Sequence, residues 1–428
     1  MTATRASFPS DQHETQRATT RFVDQLARRL LYRRLAKMHI GKLTLVCAGD
    51  KVEFGSADSE DCLAATIYIN DSRFYGNVVF AGALGAAESY IEGDWTTDNL
   101  TGVVQLLLRN REVLDEMDQG SSRIAALPRK LLHWLNRNTR SGSRRNISSH
   151  YDLGNDFFSL WLDPRMMYSS AIFEHAEMSL DEAATAKLDR ICRKLELSPS
   201  DHVLEIGTGW GGFAIYAAET YGCRVTTTTI SKEQFIHASR LVSDRGLDDR
   251  ITLLHQDYRD LTGTYDKLVS IEMIEAVGHD FLNTYFNSCS SLLKCDGMML
   301  LQAITIADQR YKTALNSVDF IQRYIFPGGF LPSVTAMLNS ITGSSDMRLY
   351  HLEDIGPHYA TTLKKWREKF ISRLPMVQSM GYSEEFVRMW HYYFCYCEGG
   401  FIERAIGDVQ MLLVKPGCRR SPLVPKLS

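Results

Sequence analysis

An open, doubly wound α/β sheet preceded by a smaller α+β domain is the fold predicted for this 428-residue chain. Three observations carry it. From about Leu180 onward short apolar runs alternate with helical periodicity. One of those runs passes through an acidic residue straight into three glycines at alternate positions, Val203-Leu-Glu-Ile-Gly-Thr-Gly-Trp-Gly-Gly212. Upstream, between Lys42 and Phe80, the pattern changes to short β-type stretches. A chain of this length, 44% hydrophobic and 23% charged, buries at least one full core and is expected to form two domains.

In order along the chain, residues 1–20 are polar and read as disordered. Between Arg21 and Lys37, Phe22, Val23, Leu26, Leu30 and Leu31 recur near helical spacing beside Arg28, Arg29, Arg33 and Arg34, which predicts a basic amphipathic helix. Leu43–Val46 and Thr66–Ile69 read as strands, and 82–108 as helical, including Glu88-Ser-Tyr-Ile-Glu-Gly-Asp-Trp95. These make an α+β domain over 1–120. A basic linker follows at 121–150, with seven Lys or Arg, no Asp or Glu, and Leu131, Leu132, Trp134 and Leu135 interleaved.

The larger domain, 151–428, takes strands at His202–Ile206, Arg224–Thr229, Ile251–Leu254, Lys267–Ile271 and Met298–Ile304. Helices are expected at 181–196, 211–220, 231–245 and 281–293, and an antiparallel strand, Val409–Val414, at the sheet edge. An insertion over about 308–405 is too structured for a loop and rich in aromatics, among them Tyr324, Phe326, Trp366 and Trp390. It reads as a cap over the carboxyl ends of the strands, where such sheets bind ligands.

Composition excludes several classes. No run approaches the roughly 18 to 20 apolar residues of a membrane span, and the N-terminus has no apolar signal core, so a cytoplasmic protein is expected. Nine cysteines form no metal pattern, Cys395 and Cys397 having no second pair, so no metal is expected. A net charge of −3 argues against a surface built for nucleic acid. The two basic segments suit the anionic face of a membrane, although a solvated helix face and an interdomain linker would look the same.

The glycine loop is the first candidate site. Gly207, Gly209 and Gly211 let backbone turn off the strand and a ligand lie against it, and Glu205 sits at the strand end to meet a cationic group. The G-x-G-x-G spacing with an acid before it favours S-adenosylmethionine over a dinucleotide, which calls for G-x-G-x-x-G. Asp257 and Tyr258 follow the third strand, offering a carboxylate for an exocyclic amine and an aromatic face for a purine. Thr229-Ile-Ser-Lys-Glu-Gln234 ends the second strand without the acid common at that position. Glu272 and Glu275 lie just beyond the fourth strand, at the mouth of the crevice, either as helix-capping or solvated acids or as carboxylates beside a reacting centre.

Several of these segments, together with His150-Tyr-Asp-Leu-Gly-Asn-Asp-Phe-Phe158, Met167-Tyr-Ser-Ser-Ala171, Ser270-Ile-Glu-Met-Ile-Glu-Ala-Val-Gly278, Tyr324-Ile-Phe-Pro-Gly-Gly329 and Pro357-His-Tyr359, resemble the cyclopropane-fatty-acyl-phospholipid and mycolic-acid cyclopropane synthases. The resemblance covers about Asn146 to Lys415. It implies a Rossmann-like class I methyltransferase sheet with a helical lipid-binding cap. It also implies methyl transfer from S-adenosylmethionine to a cis double bond of a phospholipid acyl chain, with a bound bicarbonate removing the proton that closes the cyclopropane ring. The bicarbonate-site residues it implies are Ser170, Glu275, Gln302, Ile304 and Tyr359. Its cofactor positions are Tyr168, Ser169, Gly207, Gly209, Trp210, Ile230, Gln234 and Tyr258. Ser170 and Gln302 depart from the Cys and His usual in that family, which leaves open a methyl- or methylene-branched chain. A different acceptor such as a sphingolipid or an amine, or a catalytically silent lipid-binding protein, also remains open. A homodimer at the inner face of the membrane is implied by resemblance alone.

Overall fold

The computed structural model describes residues 22–56, 63–116 and 153–423. The polar residues 1–20, the basic stretch 121–150 and the start of the His150 motif lie outside the described residues. The chain divides into two compact units, residues 1–127 with 364–403, and residues 128–363 with 404–428.

The first unit holds a four-stranded sheet in the order β2-β1-β3-β4, built from β1 (Gly41–Cys47), β2 (Asp50–Ser56), β3 (Ala64–Ile69) and β4 (Trp95–Thr97). Ala48 and Gly49 both take positive φ, 51° and 90°, as a two-residue hairpin turn requires. In the helix Phe22–Leu35, Ala27, Leu31 and Leu35 are buried, so that part of its apolar stripe serves the unit's own core. Arg29 and Arg33 face solvent. The β-type reading to Phe80 ends early, because Arg73–Ile91 is helical with a break at Gly82, whose φ of 62° and ψ of −139° no helix accommodates.

The insertion expected as a single cap over 308–405 is divided between the units at residue 364. The helix Glu384–Ile402 belongs to the first. There Tyr90 Oη and His391 Nδ1 share a 2.9 Å hydrogen bond, and a Cβ on Gly399 would stand 2.7 Å from Val104. Glu398 accepts from Thr101 Oγ1 at 3.2 Å and from Arg367 Nε at 2.9 Å. Aromatic periodicity announces such a helix but does not name the surface it packs on.

The second unit is the doubly wound sheet, in the order β10-β11-β9-β8-β5-β6-β7. β5 (His202–Ile206), β6 (Arg224–Thr229), β7 (Ile251–His255), β8 (Tyr265–Ile271) and β9 (Leu293–Ile306) run parallel. β11 (Ile406–Val414) pairs antiparallel with β9, as its sequence position suggests, but it is not the edge. The edge is β10 (Arg348–Asp354), antiparallel to β11 and drawn from inside the insertion. Its alternation is shallow, with three of its seven residues part-buried and four exposed, so it carries little strand signal.

Helices cover both faces. Leu180–Lys194 starts at a reciprocal cap in which Ser179 Oγ accepts from Glu182 N and the Glu182 side chain accepts from Ser179 N. Its Leu188, Ile191 and Cys192 join Phe213, Ala214 and Ala217 of Gly212–Tyr221 in one core. On the other face, Tyr285, Phe286 and Cys289 of Leu282–Ser291 pack with Met337 and Ile341 of Val334–Ser344. The carboxyl ends of β5, β8 and β9 are thereby held against solid layers, and the candidate site is built there.

Candidate active site

The loop leaving β5 takes the shape its glycines permit. Gly207, Gly209 and Gly211 have φ of 103°, 53° and 93°, and Gly211 N-caps the helix Gly212–Tyr221. Gly207 N and Thr208 N both donate to Thr228 O at 3.0 Å, pinning the loop to the end of β6. A Cβ on Gly207 would come within 3.2 Å of Met273, whereas one on Gly209 would meet no protein atom within 4 Å. The backbone at Gly209 thus faces open space beside the segment that carries Glu272 and Glu275. Glu205 is buried beneath the loop, accepts from Thr227 Oγ1 at 2.6 Å, and is pushed up to about 8 by burial.

Aromatic side chains gather beside the loop. Phe158 lies 5.2 Å from Trp210 and 5.5 Å from Tyr168, ring centre to ring centre, and Tyr168 lies 5.9 Å from Phe326 of the Tyr324–Gly329 motif. Trp210 Nε1 donates to Asn155 Oδ1 at 2.6 Å. Phe330 N donates to Glu275 O at 3.0 Å, tying the end of that motif to the acidic segment.

The acids beyond β8 form the polar centre. Glu272 takes a left-handed φ of 48°, rare for a residue with a side chain, and its N–H donates to Gln302 O at 2.8 Å. Its Oε1 accepts from Ser170 N at 2.9 Å and Gln302 Nε2 at 2.8 Å, and its Oε2 accepts from Tyr359 Oη at 2.7 Å. Glu275 Oε1 accepts from Ile304 N at 2.6 Å, while its Oε2 is buried without a partner among the described residues. The β9–β11 register sets Gln302 opposite Gln410 and Ile304 opposite Asp408. Gln302 Nε2 also donates to Asp408 Oδ2 at 3.2 Å, and Gln302 Oε1 accepts from Gln410 Nε2 at 3.0 Å.

Thus Ser170, Gln302, Ile304, Tyr359 and Glu275 come together, but the Ser170, Gln302 and Tyr359 donors all meet on Glu272. The Ser170 hydroxyl, which sequence reading gave to an anion, donates instead to Ala171 O at 3.0 Å. It is the Ser170 N–H that points inward.

Charge in this cluster is lopsided. Glu272, Asp408, Asp163 and Glu205 all act on one buried ammonium, Lys187, whose Nζ donates to Ser169 Oγ at 2.9 Å, while Glu275 feels the charge of Glu272. Burial first, and then the charge of Glu272, push Glu275 up to about 8. Burial and the charges of Glu272 and Glu275 raise Asp408 well above the carboxylate range. Burial lowers Lys187 to about 8, against the pull of Glu272. Burial also raises Glu272, but Tyr359, Ser170, Lys187 and Gln302 oppose the shift, so of the three acids it is the one whose ionised form is best supported.

The other candidates stand just beyond the ends of β6 and β7. Gln234 is buried, with Oε1 accepting from Thr229 Oγ1 at 3.0 Å, and Ile230 O takes a 3.2 Å hydrogen bond from His255 Nε2. Asp257 is gripped by Arg259, with Nε and one terminal nitrogen at 2.8 and 2.7 Å from its two oxygens. Tyr258 packs on Tyr285 at 5.5 Å between ring centres. Sequence reasoning missed Lys187, Asp408 and Gln410. Their signals were present: Lys187 interrupts the apolar stripe of Ala183, Ala184, Leu188 and Ile191, and Asp408 and Gln410 alternate on one face of an apolar strand.

Comparison with known proteins places this geometry. A family profile described as Mycolic acid cyclopropane synthetase matches residues 138–411. The chain is 39% identical over 361 residues to the cyclopropane-fatty-acyl-phospholipid synthase of Escherichia coli K12, covering 81% of this chain and 86% of that one. It is 37% identical over 354 residues to the tuberculostearic acid methyltransferase UfaA1 of Mycobacterium tuberculosis, covering 78% and 80%. Among solved structures, the mycolic acid cyclopropane synthase CmaA1 complexed with SAH and CTAB superposes with a TM-score of 0.60 at 31% identity, over 64% of this chain and 98% of that one. With the profile spanning well over half of the sequence and both relatives above 30% identity, this chain belongs to the mycolic acid cyclopropane synthetase family.

Proposed function

We propose that this protein uses S-adenosylmethionine to methylate a cis double bond in the acyl chain of a phospholipid and closes the added carbon into a cyclopropane ring. The observation that carries this reading is the buried set of Glu272, Glu275, Gln302 and Tyr359, beside a glycine loop whose open side at Gly209 leaves room for a ligand. When bound, the cofactor supplies an electrophilic methyl group. The chain's own task is to hold a weak nucleophile in line, keep water out and accept one proton.

Gly207 and Gly209 would let the cofactor lie on backbone, with Tyr168, Ser169, Trp210, Ile230, Gln234, Asp257 and Tyr258 around it. The faces of Phe158, Tyr168 and Phe326 are suited to a positive charge developing on the lipid in a dry pocket. The relative CmaA1, solved with SAH and CTAB, supports both a nucleoside thioether and a long alkyl chain in this fold.

Access to the lipid is proposed to be peripheral, at the cytoplasmic face of an anionic membrane, by a homodimer. No helix among the described residues is long and apolar enough to cross a membrane. Since the helix Phe22–Leu35 turns Ala27, Leu31 and Leu35 inward, its attraction to a bilayer would come from Arg29 and Arg33 rather than from insertion. A second reading, a methyl- or methylene-branched chain without a ring, is favoured by the 37% identity to a relative named as a methyltransferase.

Mass spectrometry of phospholipids from cells expressing the protein tests the proposal. Unsaturated chains should gain one CH2, and the product should resist mild hydrogenation, as a ring does and an alkene does not. Unaltered lipids would sink it, and a gain that takes up hydrogen would select the branched reading.

A further inference from the structure

Resting on the methyl-transfer reading, we infer that Glu272 is a built-in proton acceptor: its carboxylate fills the seat that a dissolved bicarbonate would otherwise take, and the reaction runs without that ion.

The seat is defined by its donors. Ser170 N, Gln302 Nε2 and Tyr359 Oη converge from three separate chain segments and end 2.7 to 2.9 Å from the two oxygens of one side chain. These are well-formed hydrogen bonds, and all three donors point at one acceptor group. A carboxylate and a bicarbonate share the same trigonal, two-oxygen edge, so one satisfies the donors as the other would. A residue other than glycine is held at φ 48° at the point where this side chain leaves the backbone. Such an outlier, fixed by the Glu272 N–H to Gln302 O bond, is a feature expected of a functional position.

A second anion has no place here. Glu275 and Asp408 already crowd Glu272, and the one buried ammonium nearby, Lys187, is shared by Glu272, Asp408, Asp163 and Glu205. Two unit charges about 4 Å apart near a protein surface repel by about 4 kcal/mol, roughly a thousandfold in affinity. With Glu272 ionised, bicarbonate would meet that repulsion and would find the Ser170, Gln302 and Tyr359 donors engaged.

Glu272 is also the acid with room for a proton. Oε1 accepts from Ser170 N and Gln302 Nε2 and Oε2 from Tyr359 Oη, and the Asp408 carboxyl also shares a hydrogen bond with this group, so Oε2 is the less engaged oxygen toward Ser170 and Gln302. Glu275, raised to about 8, stays protonated near neutral pH and is a poorer acceptor. In the step itself the alkene π electrons form the bond to the methyl carbon while the carbon–sulfur pair stays on sulfur. One C–H bond of the transferred methyl breaks, its proton passes to Glu272 Oε2, and the pair left behind closes the ring. The carboxylic acid then returns the proton to water.

The test uses the purified full chain, unsaturated phospholipid vesicles and labelled S-adenosylmethionine, in buffer stripped of carbon dioxide or supplemented with bicarbonate. The unmodified protein should run at the same rate in both. Glu272→Gly suits the left-handed backbone and should fold, as circular dichroism will show; its rate in stripped buffer should drop by about 10² to 10³, and bicarbonate or formate should restore part of it. Glu272→Gln, whose amide still fills the seat, should be slow and should not be rescued. An unmodified enzyme that slows on stripping and recovers with bicarbonate would overturn this inference alone. So would a folded Glu272→Gly that keeps its rate in stripped buffer, or that loses it with no rescue by either anion. No lipid product from the unmodified protein in either buffer would overturn the methyl-transfer reading as well.

Discussion

Replacing Gly209 with alanine separates a folding role of the glycine loop from a binding role. Gly209 sits at φ 53°, and an added Cβ meets no protein atom within 4 Å, so the cost to folding is limited to a left-handed backbone. That is about 1 to 2 kcal/mol, against a typical stability of about 5 to 15. For a unit of this size the loss corresponds to a fall in Tm of roughly 2 to 8 °C, and the protein stays folded. Gly246 provides the control, with φ 64°, nothing within 4 Å and no place in the site. Gly246→Ala should lose a similar few degrees. In titration calorimetry, Gly246→Ala should keep its affinity for S-adenosylmethionine, while Gly209→Ala should lose at least tenfold because the methyl group enters the space the cofactor takes. Equal affinities in the two variants, at matched Tm, would refute the placement of the cofactor on this backbone.

Other expectations follow from the same structure. Glu275 holds its proton to about 8 when folded and to the ordinary 4.5 when unfolded, so between those values the unfolded chain gives up a proton that the folded one keeps. Stability therefore falls as pH rises through that window; the Tm of Glu275→Gln should gain on the unmodified protein from pH 4.5 to about 8, and a constant difference would speak against the burial argument. In the first unit, Glu398→Ala leaves the Arg367 guanidinium without its partner and should cost about 3 to 5 kcal/mol in denaturant unfolding; a loss below about 1 would mean that the pair is solvated. Binding to anionic vesicles should weaken with salt, since screening acts over about 10 Å at 0.1 M, and should drop when Arg140, Arg144 and Arg145 become Gln; salt-insensitive binding would leave those residues as a solvated linker.

The parallel part of the sheet was legible because its strands are short apolar or, in β6, β-branched runs closed by turn chemistry, and the glycine loop because three alternate positive-φ positions admit little else. β10 was not legible, since a strand packed on one side among polar residues such as Arg348, His351 and Glu353 has no run to show. Nor was the division of the insertion. Gly399 and His391 are meaningful only once Val104 and Tyr90 stand beside them, and those contacts span about three hundred residues. At the site, the sequence named residues that the fold brings together, but it did not show how they are wired. The sequence shows Glu272 and Glu275 as equals three residues apart. Only the left-handed backbone at Glu272 and the convergence of Ser170, Gln302 and Tyr359 on its carboxyl tell the two apart.

The most direct measurement of the central claim is the fate of a trideuterated methyl group carried on S-adenosylmethionine and presented with the purified protein to vesicles of cis-unsaturated phospholipid. Methyl transfer to the alkene followed by proton removal from that same carbon and ring closure predicts a lipid that retains two of the deuterium atoms, placed at the former double bond, with the third released to solvent, and that takes up no hydrogen on mild hydrogenation, which a methylene branch with the same two deuterium atoms would. A lipid that retains all three would show methyl transfer without ring closure, and a label absent from the acyl chain, or found on the head group, would contradict alkylation of the double bond altogether.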